Sequence, residues 1–276
     1  MKLLLSPGHA YAASTPLFYT LGYYNKYGHT GHMKEFSYLW QMYLEDIGDI
    51  KLASFQYRNI RNKLPRVGQG SRKKLSPMPE NFSILDYYKR PFRIEYYIEY
   101  LKKVWDVVKD EYESVADFST SLSGLSEDFL MKIKPKLLEN FDIKVVIIFR
   151  DPVKRFWSQN ADVNGKLRCH DRYAENYLKY CNVFGKQNVH YVIMEDFWSG
   201  ETSELSKFLD YDIQKISENV YWPLEDKIIK YENLRDQWQG EKEMPIDCLP
   251  RIREKLNHLY LQYEQILGKI PERWCV

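Results

Sequence analysis

The sequence predicts an α/β fold with a central, mainly parallel sheet flanked by helices. Two apolar runs and two amphipathic stretches carry that reading. Lys144–Phe149, with Val145, Val146, Ile147 and Ile148 behind its lysine, reads as a strand buried on both faces. Val189–Met194 reads as a second such strand. Arg93–Tyr112 places Ile94, Tyr97, Ile98, Leu101, Val104, Trp105 and Val108 at steps of three and four, the period of one helix face. Arg251–Leu267 repeats the pattern with Ile252, Leu256, Leu259, Tyr263, Ile266 and Leu267. Strands separated by helices imply parallel pairing, because a parallel crossover needs a connection of helix length.

The chain opens in the same manner. Lys2–Leu5 is a short apolar strand that runs into Ser6-Pro7-Gly8. After a loop, Ser14-Thr15-Pro16 precedes the apolar stretch Leu17–Leu21. Ser or Thr ahead of Pro marks a helix start, since Pro is tolerated in the first turn. The order is strand, glycine-containing loop, helix. Ligands of such folds sit at the carboxyl ends of the strands. The loops after Leu5 and after Phe149 both lie there. Residues 61–79 hold Arg61, Lys63, Arg66, Arg72, Lys73 and Lys74 with no acidic residue, among Pro65, Gly68, Gly70, Pro77 and Pro79. This composition is a loop. It reads as a plain solvated loop or as a basic lid over 61–80.

Composition limits the function. The 276 residues fit a single domain spanning 1–276. With 44% hydrophobic and 28% charged residues, the chain has both a core and a polar surface. A net charge of +2 argues against a nucleic-acid partner, which calls for a strongly basic face. Cys169, Cys181, Cys248 and Cys275 match no zinc spacing and are too few for a disulfide scaffold, so free thiols are expected. No run approaches a membrane span. Read as a whole chain, the sequence is expected to be cytoplasmic with no membrane partner. The 23 tyrosines fit core sites with a wet edge, and equally carbohydrate or nucleotide contacts.

The densest motif starts at Val145 and runs through Phe149-Arg150-Asp151-Pro152 to Phe156-Trp157-Ser158. A buried strand ends on Arg150. Asp151 offers an N-cap and Pro152 a first helical position. Ser158 lies about two turns along the new helix. A forked, permanently charged guanidinium and a hydroxyl can then share one phosphate. A structural arginine paired with a carboxylate is the other reading of the same residue.

This segment resembles the 3′-phosphate motif of the sulfotransferase family: hydrophobic strand, Arg-Asp-Pro, an aromatic residue, then Ser. The resemblance implies a P-loop-like fold, no metal, and 3′-phosphoadenosine 5′-phosphosulfate as donor, with Arg150 and Ser158 on its 3′-phosphate. It also implies that Gly8, Ala10, Tyr11, Ala12, Ala13, Ser14 and Thr15 form the loop for the 5′-phosphosulfate. Backbone N–H groups at a helix start suit that anion. Here the chain departs from the family. Tyr11 stands where the family has lysine, and Ala13 replaces a glycine. His9 or Lys34 then becomes the candidate cation near the departing phosphate.

A third match is Gly31–Tyr38, whose Lys34-Glu35 pair and following Phe36 are similar to glycan-type sulfotransferases. That likeness implies Glu35 as base toward the acceptor hydroxyl, with Lys34 stabilising charge. His29 and His32 are rival bases, and an exposed pair on a helix is the bland reading of Lys34-Glu35. Val115–Ser121 resembles the segment that reaches the donor and acceptor, so Asp117 and Ser119 line the cleft or simply cap a turn. Trp238, ahead of the last helix, could stack on adenine or fill the core. The implied partner is a hydroxyl-bearing acceptor, with a lean toward carbohydrate. Two other functions compete. One is a catalytically degenerate relative that binds nucleotide or glycan. The other is a P-loop kinase, which needs a loop lysine and a strand-end carboxylate for magnesium. No lysine is present in the loop, and the sequence reads as lacking an apolar strand closed by an acidic residue.

Overall fold

A computed structural model describes residues 1–8, 14–31, 35–49, 51–52, 84–160, 172–215, 221–224, 227–230 and 249–274. Strand β1 (Lys2–Leu5) leads to helix α1 (Ser14–Phe18), which continues as a π-helical stretch, Tyr19–Tyr24. The predicted helix start is present, but the apolar run ends in wider turns. Asn25 closes them, its amide Nδ2 donating to the Thr20 carbonyl at 2.8 Å. Then follow β2 (Gly28–His29), α2 (Tyr38–Asp46), α3 (Ile84–Tyr88) and α4 (Ile94–Val108). Next come β3 (Ser114–Asp117), a 3-10 turn (Thr120–Gly124), α5 (Glu127–Leu138), β4 (Asp142–Phe149) and α6 (Pro152–Asn160). The chain continues through α7 (Tyr173–Phe184), β5 (Val189–Ile193), α8 (Met194–Trp198) and α9 (Ser203–Leu209). Last are β6 (Tyr221–Leu224), β7 (Lys227–Lys230), α10 (Leu249–Leu267) and a 3-10 turn, Glu272–Trp274.

Among the described residues, the central sheet has five strands in the order β2-β3-β1-β4-β5, and every pairing between them is parallel. Strands β6 and β7 form a separate antiparallel pair. Leu3, Leu4 and Leu5 are buried in the middle strand, and Val145–Phe149 beside it are buried throughout. The second predicted strand differs from expectation. Val189–Ile193 occupies a sheet edge, with Val189 and Val192 buried and His190, Tyr191 and Ile193 half-buried, and Met194 already belongs to α8. An edge strand is covered less completely, which relaxes the demand for continuous apolar residues.

Helix α4 buries Tyr97, Ile98, Tyr100, Leu101, Val104 and Val108, the stripe its spacing predicts. Helix α5 starts where the Ser126 hydroxyl accepts the Phe129 amide at 3.2 Å, with Glu127 and Asp128 in its first turn. Many tyrosines are plain core. Tyr27, Tyr38, Tyr97, Tyr100, Tyr173, Tyr180 and Tyr263 are all fully buried. No described helix is long and apolar enough to cross a membrane.

Sheet order sets the place for a ligand. From β1 the chain moves outward to β2 and returns through β3; from β4 it moves the other way to β5. The connections after β1 and β4 therefore diverge, and a crevice opens between their carboxyl ends.

Candidate active site

One wall of the crevice is Ser6-Pro7-Gly8. The Ser6 amide donates to the Asp117 carbonyl at 2.9 Å, and the Gly8 amide turns back to the Ser6 carbonyl at 2.8 Å. From α7, Asn176 Nδ2 donates to the Pro7 carbonyl at 3.0 Å. Ser6 Oγ and Asn176 Oδ1 are buried without a hydrogen-bond partner among the described residues. A buried polar atom left this way costs about 1–3 kcal/mol, which suits a place where a polar ligand docks. For Ser14 and Thr15 the backbone alone is described; they open α1. His9, Ala10, Tyr11, Ala12, Ala13, His32 and Lys34 lie outside the described residues, as do the basic segment 61–80, Trp238 and three of the cysteines. The fourth, Cys181, is a half-buried free thiol.

The opposite wall is the turn after β4. Arg150 is 4% exposed at the strand end. Asp151 caps α6 as its sequence predicts: its Oδ1 accepts the Val153 amide at 2.8 Å and the Tyr260 hydroxyl at 2.7 Å. Burial raises the Asp151 carboxyl above its ordinary value, against those two donors. Ser158 lies on α6, two turns beyond the strand, and its backbone alone is described.

Along the same sheet end, β3 closes on Asp117, which is 1% exposed. Its Oδ2 accepts the Tyr97 hydroxyl at 3.0 Å, and its Oδ1 accepts the Ser119 amide at 2.9 Å and the Ser119 hydroxyl. Ser119 Oγ in turn accepts the Ser37 amide at 2.8 Å. Ser37 sits in the left-handed region at φ 52° and precedes α2. Glu35 therefore lies outside the helix, on the segment that leads into α2, two residues from an anchored amide. Phe36 between them is locked in the core. Its ring stacks on Tyr100 at 4.0 Å, and its carbonyl accepts the Tyr88 hydroxyl. Glu35 is half-buried and close enough to Asp117 to raise that carboxyl further, after the larger effect of burial.

The rival base His29 has a different setting. It is 1% exposed, its Nδ1 accepts the Gly31 amide at 3.0 Å, and its ring meets Tyr112 edge-on at 4.7 Å. Tyr112 precedes β3, so the imidazole packs against the segment that leads into that strand. The sequence reads as having no acidic residue that ends an apolar strand in the manner of a magnesium carboxylate, yet one short strand does end on an acid. Strand β3, Ser-Val-Ala-Asp, ends on Asp117 directly beside β1. Four residues are too few for a recognisable run. Unlike a carboxylate open to magnesium, Asp117 spends its oxygens on Tyr97 and Ser119. Among the described residues, no group of three or more His, Cys, Asp or Glu side chains could hold a metal.

Comparison with solved structures decides what this architecture is. A crystal structure of a sulfotransferase from Alicyclobacillus acidocaldarius aligns over 100% of this chain and 99% of that one, at TM-score 0.55 and 15% identity. The chain has the fold of that sulfotransferase. A sulfotransferase domain from the curacin biosynthetic pathway aligns over 93% of this chain and 97% of its own, at TM-score 0.40 and 13% identity. No family model matches the chain, and no curated protein matches it. In the sulfotransferase fold found here, the Ser6–Gly8 turn, the Arg150–Asp151 turn and the Glu35–Asp117 pair share one end of the sheet. Asn176 is the residue in this group that sequence reading passes over. Its signal is a lone amide on an otherwise apolar helix face with Tyr173, Ala174, Tyr177 and Tyr180.

Proposed function

We propose that the chain is a sulfotransferase that moves a sulfuryl group from 3′-phosphoadenosine 5′-phosphosulfate to a hydroxyl acceptor. The observation that carries this reading is the crevice at the strand-order switch. The buried Arg150 turn and the Ser6–Gly8 turn form its two walls, and a carboxylate stands on the same sheet end. Arg150 holds the 3′-phosphate, with Ser158 beside it. The start of α1, with Ser14 and Thr15, faces the 5′-phosphate. Glu35 takes the acceptor proton as the hydroxyl oxygen bonds to sulfur. The bond from sulfur to the bridging phosphate oxygen breaks, and 3′-phosphoadenosine 5′-phosphate departs with that oxygen. Lys34 or His9 supplies the cation that Tyr11 does not. The Lys34-Glu35 pair inclines the acceptor toward a carbohydrate hydroxyl.

Transfer of labelled sulfate to a panel of sugar and small-molecule hydroxyls tests the reading. The wild-type chain is expected to label at least one acceptor. Glu35→Gln is expected to lower turnover by roughly 10²-fold or more while holding nucleotide affinity, the range for loss of a general base. Nucleotide binding with no transfer to any acceptor would favour the degenerate relative, for which the departures at Tyr11 and Ala13 speak. Full turnover in Glu35→Gln would move the base elsewhere.

A further inference from the structure

A polar chain behind the Arg150 turn has no part in the chemistry above. Glu195 lies in the first turn of α8, just after β5. Its Oε1 accepts the Asp151 amide at 3.3 Å, and its Oε2 accepts the Trp274 indole N–H at 2.9 Å. The Asp151 amide belongs to the peptide that joins Arg150 to Asp151. Glu195 therefore fixes the plane from which the arginine projects. Trp274 is 1% exposed and packs edge-on against Tyr263 at 5.4 Å. Its neighbour Arg273 straps the same segment down. The guanidinium donates to the Glu195 carbonyl at 3.1 Å and to Ser199 Oγ at 2.7 Å, and pairs with Asp196 at 3.5 Å.

Packing alone would not place an acid here. Burial raises the Glu195 carboxyl, and the nearby Asp151 carboxylate raises it further. An apolar side chain of similar volume would avoid that cost. What the carboxylate supplies is two oxygens, one for the turn and one for the segment after α10.

We propose that Glu195 and Trp274 are positioning residues that orient Arg150, and that they thereby set the preference of the site for a nucleotide bearing a 3′-phosphate. The proposal rests on the reading of Arg150 as the 3′-phosphate ligand. Calorimetric titration with 3′-phosphoadenosine 5′-phosphate and with adenosine 5′-phosphate separates the two ideas. Wild type is expected to prefer the first. Glu195→Gln and Trp274→Phe are each expected to cut that preference about tenfold, the equivalent of one charge-assisted hydrogen bond, with affinity for adenosine 5′-phosphate held. A merely structural role would weaken both nucleotides together, and that result overturns the proposal. So does an unchanged preference in folded variants. Should either buried variant fail to fold, Arg273→Ala loosens the same strap from a side chain that is 51% exposed, and the same fall in preference is expected. A wild type with no preference would instead sink the reading of Arg150 itself.

Discussion

Ser119, which the sequence places at the cleft or in a capped turn, makes a contact on each side. Its hydroxyl donates to Asp117 and accepts the amide of Ser37, so it links the end of β3 to the segment carrying Glu35. Ser119→Ala removes both contacts while leaving every proposed nucleotide contact in place. Steady-state kinetics should show kcat lowered by roughly 10- to 100-fold, the penalty for a reacting group displaced by about 1 Å, with nucleotide affinity unchanged. Ser119→Thr, which keeps the hydroxyl, should restore most of the rate. An alanine variant with wild-type kcat would show that Glu35 needs no such support. At this scale the sequence was partly legible. Arg150 and Asp151 stood out because strand, charge, cap and proline follow one another along the chain. Glu195 and Tyr260 did not, because they reach Asp151 across long stretches of sequence, and no periodicity encodes such a meeting.

Elements with a strong period were read well, and those defined by tertiary contact were not. Strand β1 and helix α4 follow directly from their apolar spacing. The π-helical stretch, the edge character of β5 and the four-residue β3 depend on neighbours. Helix α7 shows how one polar group ties such pieces together. Lys179 donates to the carbonyls of Ser123 at 2.8 Å and Leu125 at 2.7 Å, anchoring the turn between β3 and α5. Burial pushes its ammonium down to about 8, from an ordinary 10.5. Between those values the unfolded chain keeps a proton that the folded chain has shed, so this residue makes stability rise with pH. The buried tyrosines Tyr88, Tyr97 and Tyr180 are raised above 10 and act oppositely at higher pH, which leaves pH 8 to 10 as the window. Thermal melts of wild type and Lys179→Met should diverge across that window, with wild type gaining on the variant as pH rises. A constant gap would mean that the ammonium is not held in a desolvated site.

For the whole molecule, the decisive feature is topological. A parallel sheet whose order reverses beside β1 opens a crevice at its carboxyl edge, and the Arg150–Asp151 turn and the Ser6–Gly8 turn stand on its two sides. Sequence alone predicted the fold class and both turns, because buried strands and their exits are written locally. It could not predict that β3 returns beside β1 and brings Asp117 level with Leu5 at the carboxyl end of the sheet. Asp117 accepts from Tyr97 and Ser119, so the kinase alternative would have to give up those hydrogen bonds to place magnesium there. Thermal-shift titration with 3′-phosphoadenosine 5′-phosphate and, in parallel, with magnesium-ATP asks this directly. Selective stabilisation by the bisphosphate is expected, with Arg150→Ala weakening its binding by about 1.5–3 kcal/mol. Stabilisation by magnesium-ATP alone, or an Arg150→Ala variant that binds the bisphosphate as well as wild type, would contradict it.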